Sequence, residues 1–95
     1  MPDQNPVVFV APLGQGMNAE AAVIAQHLRK QQIASELGDE TFRAKKSFEA
    51  AERSGARYIL FVGENEVASG QFALKNLATG DQISVAREDI AAKLS

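Results

Sequence analysis

The feature that most constrains the fold is an alternation of short, wholly apolar runs with helical stretches that are apolar on one side only. Val7-Val8-Phe9-Val10-Ala11, ended by Pro12, and Tyr58-Ile59-Leu60-Phe61-Val62 are apolar at every position. Strands of that kind are covered on both faces. Ile33 to Leu37 reads as a second, shorter strand. Between the first two strands, Met17, Ala21, Ile24 and Leu28 recur at helical spacing, which predicts a helix capped by Asn18 and running to about Gln32. Ala44, Phe48 and Ala51 form a narrower stripe on a second helix. Its cap is expected at Asp39 or Thr41, its end at Gly55, and its outer side carries the i,i+4 pairs Lys45–Glu49 and Glu49–Arg53. After the third strand come a helical turn (Glu64 to Ala68), a strand (Gln71 to Leu77), a tight turn at Ala78-Thr79-Gly80-Asp81, and a strand (Gln82 to Val85). A closing helix follows from Ala86 to Leu94, with Ile90 and Leu94 turned inward.

Right-handed crossovers make the first three strands parallel, and the later turns reverse the fourth. The expected fold is α/β: a three-layer α/β/α sandwich on a five-stranded mixed sheet, order 2-1-3-4-5, with strand four antiparallel. The polar, proline-bearing segment Met1 to Pro6 reads as a tail or severed linker, leaving residues 7–95 as the domain. In such a sheet ligands bind beyond the carboxyl ends of the strands where the chain turns in opposite directions. The Gly14 loop, the Gly38–Thr41 loop and the Glu64–Glu66 turn all fall on that edge.

Ninety-five residues suffice for one small core. The absence of cysteine excludes disulfides, thiolate metal sites and a cysteine nucleophile, and fits a cytoplasmic protein. No apolar run is long enough to span a membrane. The formal charge of -2 argues against holding nucleic acid by bulk electrostatics, so any RNA contact has to be local. One segment is locally cationic: Arg43, Lys45, Lys46, Arg53 and Arg57 are half of the 10 basic residues. Arg43, Lys46 and Arg53 share one side of helix two, either as a solvated face or as a phosphate-contacting stripe.

Gly14-Gln15-Gly16-Met17-Asn18-Ala19 matches a dinucleotide-binding fingerprint, with Glu36 near the usual acidic position. Pro12 and Leu13 lengthen the turn, however, and the chain is too short for both mononucleotide halves. A phosphoryl-accepting receiver is set aside because Pro12 and Gly63 stand where acidic residues are needed. His27 has no second histidine or cysteine, which argues against a metal site. Ser54, Ser69 and Ser84 lack a histidine in register for a hydrolase triad. Glu64 and Glu66 fit capping or ligand reading better than acid–base catalysis.

Taken together, Lys45-Lys46-Ser47-Phe48, Gly55-Ala56-Arg57, Gly63-Glu64-Asn65-Glu66, Ser69-Gly70 and Lys75-Asn76-Leu77-Ala78-Thr79-Gly80 resemble the anticodon-binding domain of class II aminoacyl-tRNA synthetases. That domain is shared by the histidyl, glycyl, threonyl and prolyl types, and the nearest likeness is to the histidyl type. The likeness extends over nearly the whole chain from Val7. It implies a non-catalytic recognition module whose partners are a tRNA anticodon stem-loop, that of histidine tRNA, and the catalytic domain of a parent ligase. It implies no cofactor in this domain; the parent would use ATP and Mg. By resemblance Glu66 reads an anticodon base and Lys75 faces the loop, so the two are expected exposed and adjacent. Glu64 and the cations Arg43, Lys45 and Lys46 complete the expected contact set. Ser47 departs from the family's usual glutamine and Ala44 from a bulkier apolar residue, and nothing is carried over at Thr41 or Glu49. The alternatives are a freestanding relative with another RNA or protein partner, and a small nucleotide-binding domain using the Gly14–Ala19 loop.

Overall fold

The computed structural model of the chain describes residues 7–39, 41 and 43–94. The expected tail, Met1–Pro6, lies outside the described residues. The elements run β1 (Val8–Leu13), α1 (Met17–Lys30), β2 (Ser35–Leu37), α2 (Ala44–Ser54), β3 (Tyr58–Gly63), α3 (Glu64–Ser69), β4 (Gln71–Asn76), β5 (Gln82–Ala86), a 3-10 turn (Arg87–Asp89) and α4 (Ile90–Leu94).

The sheet order is β2-β1-β3-β4-β5. β1 is parallel to β2 and β3, while β4 is antiparallel to both β3 and β5. The expected topology is therefore the observed one. Side-chain alternation then fixes the layers. Val8, Val10, Leu60, Val62, Phe72, Leu74 and Val85 point to one face and pack with Ala21, Ile24 and Leu28 of α1 and Ile90 of α4. Phe9, Ala11 and Ile59 point to the other face, where Ala51 and Phe48 of α2 cover them.

Four local expectations need correction. Asn18 is not the cap of α1: the helix starts at Met17, and Gly16, at φ 88°, turns the chain into it without a side-chain cap. Glycine takes that left-handed turn without steric cost. The same helix stops at Lys30. Gln32 takes the left-handed position at φ 68°, and its amide and that of Ile33 bond back to the carbonyls of Arg29 and Leu28. Neither Asp39 nor Thr41 caps α2. Asp39 instead accepts the backbone amide and the hydroxyl of Thr41, both at 2.8 Å, and the N-cap position falls to Arg43 with no side-chain cap. Finally, Ala44 is exposed while Ser47 is fully buried, so the inward stripe of α2 is Ser47 and Ala51 with Phe48 on its flank. The Ser47 hydroxyl has no hydrogen-bond partner among the described residues.

Candidate functional site

The carboxyl ends of β1 and β3 finish level, with Leu13 beside Gly63. α3 begins directly from Gly63, which brings Glu64 and Glu66 to that edge. Glu64 is exposed; Glu66 is half-buried and folds back over the strand end. A Cβ added at Gly63 would lie 2.6 Å from the Glu66 Oε1. The backbone there is extended (φ -117°), so any residue could adopt it. Glycine leaves room there for the Glu66 carboxylate, which a side chain at 63 would push aside. On the other side of β1, Phe9, Asn18, Glu36, Leu37, Gly38, Asp39 and Ala50 line a cleft of about 510 Å³. The Gly14 loop closes on itself through the Met17 amide and the Gly14 carbonyl, 3.1 Å apart. That occupies one of the amides an anion site at the start of α1 would need.

α2 starts at the same edge and runs down the sheet. Its first turn contains no acidic residue, although acids suit the positive end of a helix. Thr41, Arg43, Lys45, Lys46, Glu49 and Arg53 line a groove of about 430 Å³ on its outer side. The Asp39 carboxyl beside it is held below its ordinary pKa, first by the Thr41 amide, then by the Thr41 hydroxyl, with Lys46 adding attraction. At 100° per residue, α2 divides the candidates. Arg43, Lys46 and Arg53 lie on the flank shared with Ala50, which faces the β2 side. Phe48 lies on the opposite flank, facing β4.

Lys75 stands apart from the edge. It opposes Ile59 in β3, four residues below Gly63, a drop of about 13 Å along the strand. Glu66 and Lys75 thus share one face of the sheet but are not the neighbours expected from the sequence. The cause is the direction of β4, which leaves the edge at Gln71, so each further residue descends. The Lys75 ammonium reaches the Phe48 ring, with Nζ 5.0 Å from its centroid. Phe48 carried no functional expectation. In the sequence it stands in the apolar stripe of helix two and in the Lys45-to-Phe48 motif, with no contact role.

Beyond Lys75 the sheet face is uncovered, because α2 packs over β1 and β3. There Gln71, Gln82 and Ser84 are exposed and Ala73 and Lys75 half-buried. The Ser84 hydroxyl donates to the Gln71 side chain at 3.3 Å. Ser54 and Ser69 are engaged in short-range bonds to backbone carbonyls, and His27 is exposed on α1. Among the described residues no three His, Cys, Asp or Glu side chains gather as metal ligands, and no helix is long and apolar enough to cross a membrane.

This chain has counterparts among known families. Residues 7–95 match the family described as "Anticodon binding domain". The chain belongs to the anticodon-binding domain family. Within that family, it is 63% identical over 83 residues to a histidine–tRNA ligase of Koribacter versatilis (strain Ellin345), covering 87% of this chain and 19% of that protein. It is 42% identical over 85 residues to a histidine–tRNA ligase of Solibacter usitatus (strain Ellin6076), covering 90% and 20%. The crystal structure of histidyl-tRNA synthetase from Nostoc sp. PCC 7120 superimposes with a TM-score of 0.88 at 27% identity, covering 95% of this chain and 22% of that one. The chain thus spans about one fifth of the length of the relatives it matches. The anticodon-binding fold accounts for the Lys75-to-Gly80 motif in structural terms. The Asn76 side chain accepts the amides of Ala78 (2.8 Å) and Thr79 (3.1 Å), and Gly80 takes the left-handed position at φ 83°.

Proposed function

We propose that this domain reads the anticodon loop of histidine tRNA and serves as the recognition module of a histidine–tRNA ligase. The ATP- and magnesium-dependent chemistry would belong to other parts of that enzyme. The observation that carries this reading is the uncovered sheet face beside α2, rimmed at the strand ends by the Glu66 carboxylate lying over Gly63. Anticodon bases are unstacked and single-stranded, so their Watson–Crick edges are open to side chains. A carboxylate such as that of Glu66 accepts the two N–H groups on a guanine edge, while Glu64 stands at the outer rim. Arg43, Lys45 and Lys46 offer charge to phosphates from the outer side of α2, and Lys75 does so from the sheet face. The names of the relatives support the choice of amino acid and tRNA.

The test is a low-salt anisotropy titration with labelled anticodon stem-loops, one bearing the histidine anticodon and one with those bases changed. The wild-type domain is expected to prefer the histidine loop. Glu66→Gln turns one acceptor into a donor and is expected to reduce that preference by about tenfold, the scale of one lost charge-assisted contact. Equal binding of both loops by the wild type would refute the reading.

A further inference from the structure

Phe48 sits one step round α2 from the buried Ser47 and Ala51, at the border between the packed α2 layer and the uncovered face of β4 and β5. The Lys75 ammonium, 5.0 Å from the ring centroid, covers that border. Lys75 is anchored by its backbone between Ile59 and Gln82, and its half-buried stem lies on the open face. Around it lie Gln71, Ala73, Gln82 and Ser84, with the half-buried Phe61 opposite Ala73 and Leu77 at the strand's end.

An ammonium is a replaceable cover. A flexible four-carbon stem holds it, and it can leave the ring without opening the core, because Phe9, Ala11, Ala51 and Ile59 close that layer beneath. Every nucleobase presents a π-face, and stacking on aromatic side chains is a general way of holding unpaired RNA bases. A base on Phe48 would release a cation beside the phosphate that accompanies it, so one exchange creates two contacts.

We infer that Phe48 is the stacking platform for an unpaired RNA base, covered by Lys75 in the free domain and uncovered when the base arrives and Lys75 turns to the phosphate backbone. This rests on the proposed anticodon-loop reading and adds to it a second point of contact, separate from Glu66. The platform selects single-stranded over paired RNA, since paired bases have no free face to offer.

The test uses the domain itself with the histidine anticodon stem-loop. The chain contains no tryptophan, so Phe48→Trp creates a single tryptophan reporter at the platform, excited selectively over Tyr58. Its emission is expected to fall when the stem-loop is added. The Lys75 ε-methylene protons, shielded by the ring in the free protein, are expected to move toward ordinary lysine shifts on binding. Phe48→Leu, which keeps the apolar bulk, is expected to weaken binding by about tenfold with an unchanged circular dichroism spectrum. Binding with unmoved Lys75 protons and with Phe48→Leu at wild-type affinity would overturn the platform and leave the anticodon reading standing. Failure of the unmodified domain to bind any stem-loop would remove both, and that result is seen before any variant is made.

Discussion

Gln32 holds a left-handed backbone at φ 68°, the one non-glycine residue with positive φ among those described. It closes α1 through bonds from the Gln32 and Ile33 amides to Arg29 and Leu28, at 3.0 and 2.9 Å, in the position where helices usually place glycine. A side chain at that angle crowds the following carbonyl, at a cost of about 1–2 kcal/mol. Glycine removes the crowding and gives back part of the gain through its freer unfolded chain. Gln32→Gly is therefore expected to stabilise the domain by about 0.5–1 kcal/mol, raising the melting midpoint by a few degrees in a chain of this size. A scanning calorimetry trace at or below the wild-type midpoint would show that the loop relieves the strain by other means. Ser47 is a second local irregularity, a buried hydroxyl with no hydrogen-bond partner among the described residues.

At the scale of elements, the strands and helices were legible because their signals are local. Two continuous apolar runs announced covered strands, and the glycines at positions 55 and 80 marked a helix end and a turn that the structure closes in left-handed conformations. Less legible was anything that depends on how one element lies against another. The sequence showed Lys75 nine positions after Glu66 but not that β4 carries it down the sheet, away from the edge. It showed cations along α2 but not that Arg43, Lys46 and Arg53 lie on its outer side toward the β2 flank while Phe48 lies on the β4 flank. The β4–β5 connection looked like a glycine turn, yet its organiser is Asn76. That side chain accepts two amides while its backbone amide bonds the Asp81 carbonyl at 2.8 Å. Asn76→Ala removes both side-chain bonds and is expected to cost about 1–2 kcal/mol in urea unfolding. Amide exchange should speed up at Ala78 and Thr79 first. An unchanged unfolding midpoint would mean that the backbone bonds alone hold the hairpin.

The molecule as a whole carries a formal charge of -2 while its α2 groove is lined by four cations against one carboxylate. Those two facts pull RNA affinity in opposite directions, and salt separates them. Net charge acts at long range and is screened within about 10 Å at 0.1 M salt. Direct phosphate contacts release counterions, and each contributes about 0.7 to the slope of log affinity against log salt for a single strand. If Arg43, Lys45, Lys46 and Arg53 touch three or four phosphates, the slope is expected near -2 to -3 despite the acidic total. Arg53→Gln, in the groove and two turns below the edge, should flatten the slope by about 0.7 and weaken every stem-loop equally, because phosphates carry no sequence. Lys30→Gln changes the net charge by the same amount at the far end of α1 and should leave the slope alone. If the two variants alter the slope equally, the domain responds to total charge and the α2 groove is a solvated face. If Arg53→Gln alone flattens it, the backbone runs along α2 while bases are read on the sheet side of the same helix. That division lets an acidic domain hold a polyanion without binding nucleic acid indiscriminately.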